Sequence, residues 1–203
     1  MTLEPDYPAL SGIRLTGIHS DNLQCGRKFE FCFRFLLLFA VLTIMLQTAT
    51  SVRAAESAVF YAIRHAEKVE DGTADPDLSP VGYQRAQSFA ELLRDKAITH
   101  IFSTSFRRTM KSAEPIAAQH NLPIEQYDGG NLPGLVEKLK SLRGTIVVMG
   151  HSNTTTRVVN LLTGSDLEDL DERTYDRIYV VSKDESGEAS FWIEYTEPRT
   201  PLD

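Results

Sequence analysis

Cysteine is scarce in this sequence, and the larger part of the chain has none. The 203 residues include only Cys25 and Cys32, so residues 33–203 contain no thiol. A disulfide framework and a thiolate metal site are therefore excluded there. The chain also lacks a His-x-x-x-His pair, a Gly-rich nucleotide loop and an internal repeat. Common signatures of zinc hydrolases, nucleotide-binding folds and solenoids are thus missing.

Long hydrophobic runs are absent as well. The apolar run FLLLFAVLTIML covers residues 35–46, whereas a membrane-spanning helix needs about 20 residues. Val52 and Ala54 supply the aliphatic and small side chains expected before signal cleavage after Ala54. A short apolar run of this kind is typical of a secretory signal when basic residues precede it, and here these are Arg27, Lys28 and Arg34.

These features predict two parts of the chain. Residues 1–54 would be an N-terminal leader and signal peptide, and residues 55–203 would form one domain of ordinary size. Cleavage would remove both cysteines and release a periplasmic or secreted product. The alternatives are a buried helix or an uncleaved anchor, and an anchor would be the chain's only attachment to a membrane.

Positive charge is in short supply. The net charge is −7, and residues 55–203 carry 16 Lys and Arg against 24 Asp and Glu. Nucleic acids are bound chiefly by dense basic surfaces, so we expect no nucleic-acid partner. An anionic ligand would need a local basic pocket.

The hydrophobic pattern of residues 55–203 alternates between strand-like and helix-like periods. This alternation predicts an α/β fold, a three-layer α/β/α sandwich with a mostly parallel central sheet. The pattern indicates strands at 58–63, 98–102, 123–127 and 145–149, a closing pair at 177–181 and 190–195, and helices at 79–95, 103–120, 135–142 and 154–162.

Polar residues follow three of the predicted strands. Arg64 and His65 come after the first strand, residues 103–108 after the second, and residues 150–153 after the strand at 145–149. Ligands of parallel sheets bind beyond the carboxyl ends of the strands. We therefore expect the three segments to meet at one rim.

The residue types at this rim suit phosphoryl transfer. A guanidinium fork matches phosphate geometry and stays charged, and a neutral imidazole can attack phosphorus to give a phosphohistidine. This two-step route requires no metal and no cofactor, and we predict neither.

Four segments resemble the histidine phosphatase superfamily in the order in which they occur. Arg64-His65-Ala66-Glu67 is similar to its Arg-His-Gly/Ala-Glu signature, and residues 77–86, 105–113 and 148–153 resemble three further motifs. The resemblance spans roughly residues 58–163. It implies a phosphoglycerate mutase-like fold, with residues 55–203 as a small exported domain similar to phosphohistidine phosphatases.

The resemblance also implies roles for individual residues. His65 would be the nucleophile, Arg64 its phosphate-binding neighbour, and His151 a second histidine that donates to the phosphoryl group. Arg108 matches the second arginine of the family because it lies four residues before Ser112. Further substrate contacts would come from Glu67, Lys68, Arg107, Ser152 and Asn153, although Glu67 could instead be an ion-pair partner of Arg64 or Lys68.

The predicted activity is that of a metal-independent phosphatase acting on a phosphorylated small molecule or a phosphoprotein. It would hydrolyse phosphomonoesters or phosphoramidates through a phosphohistidine at His65. Residues 127–137 lack the context of the glutamate that serves larger mutases as general acid, which leaves Glu67, Asp128 and Glu137 as weak candidates. Mutase-type phosphoryl transfer and a non-catalytic phosphate-binding module are the alternatives.

Overall fold

A computed structural model describes residues 58–184 and 188–200 of the chain. The predicted leader, the apolar run at 35–46 and the cleavage site after Ala54 lie outside these residues and stay predictions. Within the described ranges, no helix has the length and apolar character to cross a membrane.

Six strands and four helices make up the described part of the chain. They follow in the order β1 Val59–Arg64, α1 Pro80–Leu93, β2 Ile98–Ser103, α2 Arg107–His120, β3 Ile124–Gln126, α3 Leu132–Ser141, β4 Thr145–Gly150, α4 Ser152–Thr163, β5 Arg177–Lys183 and β6 Ala189–Tyr195. The predicted α/β fold is confirmed.

All six strands belong to one sheet with the order β3-β2-β4-β1-β5-β6. The first four strands in this order pair in parallel, whereas β5 is antiparallel to β1 and β6 is antiparallel to β5. The sheet is therefore mostly parallel, as predicted, and the closing pair lies along one side of it.

The sheet is covered on both faces because its central strands are apolar on both sides. Phe60 and Ala62 of β1 pack with buried residues of α3 and α4. Tyr61 and Ile63 point the other way and pack with α1 and α2. This alternation produces the three layers expected from the sequence.

The first helix begins where the sequence predicts. Ser79 is its N-cap, and the Ser79 hydroxyl accepts a hydrogen bond from the backbone N–H of Gly82 at 3.1 Å. Pro80 occupies the first turn, where its missing N–H costs nothing. The rigid start of α1 fixes the direction in which this helix crosses the segment after β1.

The other three helix starts differ from the prediction, and α4 begins at Ser152 rather than at residue 154. Helix α2 begins at Arg107, because Phe106 keeps an extended backbone with φ −67° and ψ 142°. Helix α3 begins earlier than predicted, at Leu132, because the Asn131 side chain accepts from the Gly134 N–H at 3.1 Å. Such side-chain caps satisfy backbone donors that have no partner within the helix.

Candidate active site

Three parallel strands end side by side at one edge of the sheet. Arg64, the last residue of β1, is opposite Gly150, the last residue of β4. Ser103 at the end of β2 is opposite Met149. The chain segments that follow these strands therefore meet at the expected rim.

His65 is buried at the centre of this rim. Its backbone N–H donates to the Gly150 carbonyl at 2.8 Å, and its Nδ1 lies 2.7 Å from the Ala66 carbonyl oxygen. Because a carbonyl oxygen only accepts, this contact assigns the proton to Nδ1 and leaves a lone pair on Nε2. The ring centroid is 5.4 Å from that of His151.

Both imidazoles are held in the neutral form. Burial lowers the pKa of His65 to about 3, and the positive charges of Arg64 and Arg108 act in the same direction. Burial also lowers the pKa of His151 to about 4, reinforced by Arg108 and Arg64. A base without its proton is the form that can attack phosphorus. His151 Nε2 also lies 3.0 Å from the hydroxyl of Thr104.

The Arg64 side chain is only 1% exposed, and several groups around it hold its guanidinium in place. Nη1 donates to the backbone carbonyls of Asp171 at 2.7 Å and Thr174 at 3.0 Å. Nη2 donates to the Glu172 carboxylate at 2.8 Å. The Tyr175 ring lies 4.2 Å from the guanidinium carbon. Arg64 Nε is buried and has no partner among the described residues.

Arg108 is a second arginine beside the histidines, and its side chain is mostly buried. Its guanidinium carbon lies 4.4 Å from the Phe106 ring centre, and the same ring makes an edge contact with His151 at 5.2 Å. Asp75 is 3.7 Å from Arg108 Nη1. Arg108 Nε, like that of Arg64, is buried without a partner in the described part of the chain. Two guanidinium groups thus have unused donors.

Arg107 and Arg108 are adjacent in sequence but separate in the structure. The Arg107 side chain is largely exposed and donates to Asp77 at 2.6 Å. Lys111 pairs with the same carboxylate at 2.8 Å. The structure therefore brings Arg108, and not Arg107, to the histidines, and the predicted substrate contact of Arg107 finds no support in this arrangement.

The Glu67 carboxylate is bound by an arginine and is not free at the rim. Arg85 Nε donates to both carboxylate oxygens at 2.9 Å, and Arg85 Nη2 donates to Oε1 at 2.7 Å. The Arg85 side chain is 3% exposed and that of Glu67 is 20% exposed. The sequence-based pairing of Glu67 with Arg64 or Lys68 is wrong, because buried Arg85 is its partner.

Gly82 lets helix α1 approach this ion pair closely. A Cβ at position 82 would overlap the carbonyl oxygen of Glu67. That same oxygen accepts from the Ser79 N–H at 2.9 Å. The glycine and the helix cap together position the segment that carries Glu67.

The remaining predicted contacts have mixed surroundings. Lys68 Nζ pairs with exposed Glu70 at 2.7 Å. Ser152, at the start of α4, donates through its hydroxyl to Glu172 at 2.8 Å, and Asn153 is exposed on the same turn. Ser152 is therefore linked to Arg64 through one carboxylate, an arrangement that the sequence did not suggest.

The weak general-acid candidates do not contact the two imidazoles. Exposed Asp128 accepts the Gly130 N–H at 2.8 Å within a turn. Glu137 is exposed along α3, and Glu67 is bound to Arg85. Within residues 58–184 and 188–200, no group of three or more His, Cys, Asp or Glu could hold a metal ion.

A cleft of about 540 Å³ opens beside Arg64. Glu172 and Tyr175, which both contact Arg64, form part of its wall. Charged side chains of both signs line the rest, among them Lys68, Glu70, Arg173 and Arg199. The cleft therefore lies next to the histidine and arginine cluster.

Comparison with protein families finds a match for the region that carries most of this cluster. Residues 60–129 match the model of the histidine phosphatase superfamily, branch 1. The match includes Arg64, His65 and Arg108, and β4 delivers His151 from beyond it. No curated protein is similar enough to the chain to match it.

Solved structures share the fold. The protein histidine phosphatase SixA, determined with tungstate, is 21% identical with a TM-score of 0.55, covering 68% of this chain and 96% of its own. A phosphoglycerate mutase from Bacillus anthracis is 13% identical with a TM-score of 0.54, covering 70% and 93%. A mycobacterial glucosyl-3-phosphoglycerate phosphatase is 12% identical with a TM-score of 0.50, covering 70% and 98%. The architecture is phosphoglycerate mutase-like.

Proposed function

We propose that the protein is a metal-independent phosphatase that hydrolyses phosphomonoesters or phosphoramidates through a phosphohistidine at His65. One observation carries the proposal. Two neutral imidazoles with centroids 5.4 Å apart are accompanied by two guanidinium groups whose buried Nε atoms have no partner among residues 58–184 and 188–200. Buried donors without acceptors cost about 1–3 kcal/mol each, and an anion would satisfy them.

Phosphate is the anion that best suits these donors. Arg64 and Arg108 offer planar forks with charge that persists at any physiological pH. Helix α4 begins at Ser152, which shares the Glu172 carboxylate with Arg64, and a helix N-terminus adds favourable backbone N–H groups. The structure of SixA was determined with tungstate, a tetrahedral oxyanion like phosphate, which supports an oxyanion site in this fold.

The chemistry follows from the tautomer of His65. Nε2 carries the lone pair and attacks phosphorus, so that a P–N bond forms as the bond to the leaving group breaks. The leaving group departs with its electron pair and takes a proton from water or its surroundings. Water then attacks phosphorus, the P–N bond breaks with its electron pair returning to Nε2, the water releases a proton to solvent, and inorganic phosphate leaves. The Arg64 and Arg108 guanidinium groups stabilise the charge on the phosphoryl oxygens in both steps.

The surroundings of the imidazoles favour leaving groups that need little protonation. Within the described ranges, no side-chain carboxylate donates to or accepts from His65 or His151. The imidazole of a phosphohistidine and acidic alcohols leave more readily than a sugar alkoxide. We therefore place phosphoramidates and activated phosphomonoesters ahead of simple sugar phosphates as substrates.

Export is part of the same proposal. The apolar run at 35–46 would direct residues 55–203 to the periplasm or the exterior. Fractionation of expressing cells tests this, together with the intact mass of the product. Cleavage after Ala54 supports a released enzyme, and a full-length membrane-bound product supports the anchor.

Hydrolysis of p-nitrophenyl phosphate by the full chain, with EDTA present, tests the catalytic proposal. We expect turnover that a His65→Ala substitution abolishes and that a His120→Ala substitution leaves intact, since His120 lies at the far end of α2. Interconversion of phosphoglycerates without phosphate release would support the mutase alternative. Phosphate binding without turnover would support the non-catalytic module.

A further inference from the structure

Glu172 bridges two residues of the proposed phosphate site. Its Oε2 accepts from Arg64 Nη2 at 2.8 Å, and its Oε1 accepts from the Ser152 hydroxyl at 2.8 Å. The loop between α4 and β5 supplies this glutamate, 108 positions from Arg64. Both oxygens of one carboxylate are thus bound by donors that would serve a phosphoryl group.

A carboxylate and a phosphoryl group compete for the same donors. Both are oxyanions that accept charge-assisted hydrogen bonds from a guanidinium group. Arg64 Nη1 is already used twice by backbone carbonyls, so its Nη2 edge and Nε are what remain for a ligand. Glu172 occupies part of that edge.

The position of Glu172 does not suit a general acid. A general acid must carry a proton that it can give to the leaving group. Glu172 instead accepts hydrogen bonds at both oxygens, one of them from a positively charged arginine. Both carboxylate oxygens are therefore already engaged by donors of the site.

The Glu172 side chain can move away while the rest of the site stays in place. Its side chain is 76% exposed, whereas that of Arg64 is 1% exposed. Arg64 also donates to the backbone carbonyls of Asp171 and Thr174, and these two hydrogen bonds to the loop do not depend on the glutamate side chain. Rotation of this one side chain into the neighbouring cleft, which it already lines, would free both donors.

We propose that Glu172 is an internal competitor that lowers the affinity of the site for phosphate. This inference rests on the proposed function, because the displaced carboxylate gives way to the phosphoryl group of the substrate. Inorganic phosphate must displace the Glu172 carboxylate without the help of any other contact. A substrate recovers affinity through contacts of its leaving group in the cleft, so the product is bound more weakly than the substrate.

Calorimetric titration of the full chain with inorganic phosphate tests this role. Glu172→Gln keeps the shape and removes the charge, and Glu168→Gln is the matched control because Glu168 is exposed in the same loop. A charged hydrogen bond exceeds a neutral one by about 1–1.5 kcal/mol, which corresponds to about tenfold in affinity. We expect Glu172→Gln to lower the phosphate Kd about tenfold and Glu168→Gln to leave it unchanged.

Two outcomes would overturn the proposal. An unchanged Kd in Glu172→Gln would mean that the carboxylate does not compete, and a raised Kd would mean that it orients Arg64 for the ligand. The titration needs no turnover, so it separates the two proposals. Tighter phosphate binding in a chain without phosphatase activity would leave the competitor role standing and remove the catalytic one. His65-dependent turnover with no change in Kd would do the reverse.

Discussion

Replacement of Glu67 by Gln separates a structural role of this residue from a catalytic one. The substitution leaves the Arg85 guanidinium, 3% exposed, without the carboxylate that accepts three of its contacts. Arg85 keeps one further hydrogen bond, from Nη1 to the Thr196 hydroxyl at 3.2 Å. A buried positive charge with a single neutral side-chain acceptor is costly.

The size of the effect follows from the burial of the pair. Removing one partner of a buried ion pair destabilises a protein by about 3–5 kcal/mol. The Glu67 side chain is 20% exposed, and Gln retains one acceptor oxygen, so we expect a loss of about 2–3 kcal/mol. This is a large share of the roughly 5–15 kcal/mol that stabilises an ordinary domain.

Urea unfolding of the full chain, followed by circular dichroism, measures this loss. Glu70→Gln is the control, because Glu70 is exposed and pairs with Lys68 at the surface, where removal costs at most about 1 kcal/mol. A double-mutant cycle with Arg85→Met should give a coupling energy above about 1 kcal/mol. Unchanged stability in Glu67→Gln, combined with a fall in kcat of a hundredfold or more, would refute the structural role.

Three further substitutions or conditions test the site. Gly82→Ala would force a Cβ against a backbone carbonyl oxygen of the segment after β1, so we expect the free energy of unfolding in urea to fall by about 1–3 kcal/mol. A change within about 0.5 kcal/mol, the spread of ordinary surface substitutions, would contradict this packing. Arg108→Lys should lower kcat/KM on the order of a hundredfold through loss of the planar fork, whereas Arg107→Lys should change it less than about fivefold; equal effects would contradict the assignment. Burial lowers the pKa of His65 to about 3 and that of His151 to about 4 in the folded chain. In the unfolded chain the histidine pKa is near 6.5, so below about pH 6.5 the unfolded chain binds more protons than the folded chain. The free energy of unfolding should therefore fall from pH 7 to pH 4.5, and an equal fall in a His151→Asn variant would contradict this cause.

The fold was predictable because local patterns determine it. β1 is a continuous apolar run ending at Arg64, which marks a strand buried on both faces. The Ser79-Pro80 pair marks the start of α1. Once the sheet is mostly parallel, the residues after β1, β2 and β4 must meet at one edge, so the proximity of His65 and His151 also follows from the sequence.

Other contacts could not be predicted because they depend on long-range geometry. On sequence grounds several cations could pair with Glu67. Arg85 becomes its partner only because α1 crosses beneath the rim. Arg85 lay within a segment that resembled a family motif, and its place in that motif was the one available signal. Glu172 comes from residues 164–176, which have no regular period and contain no helix or strand. No local pattern links such a loop to Arg64.

We propose that His65 becomes covalently phosphorylated during turnover. Rapid mixing of the full chain with a phosphorylated substrate, an alkaline quench and mass spectrometry of its peptides test this most directly. We predict one phosphoryl group on His65, labile in acid and absent from the His65→Ala variant. Phosphorylation of another residue, or turnover at full rate with His65 replaced, would exclude His65 as the nucleophile.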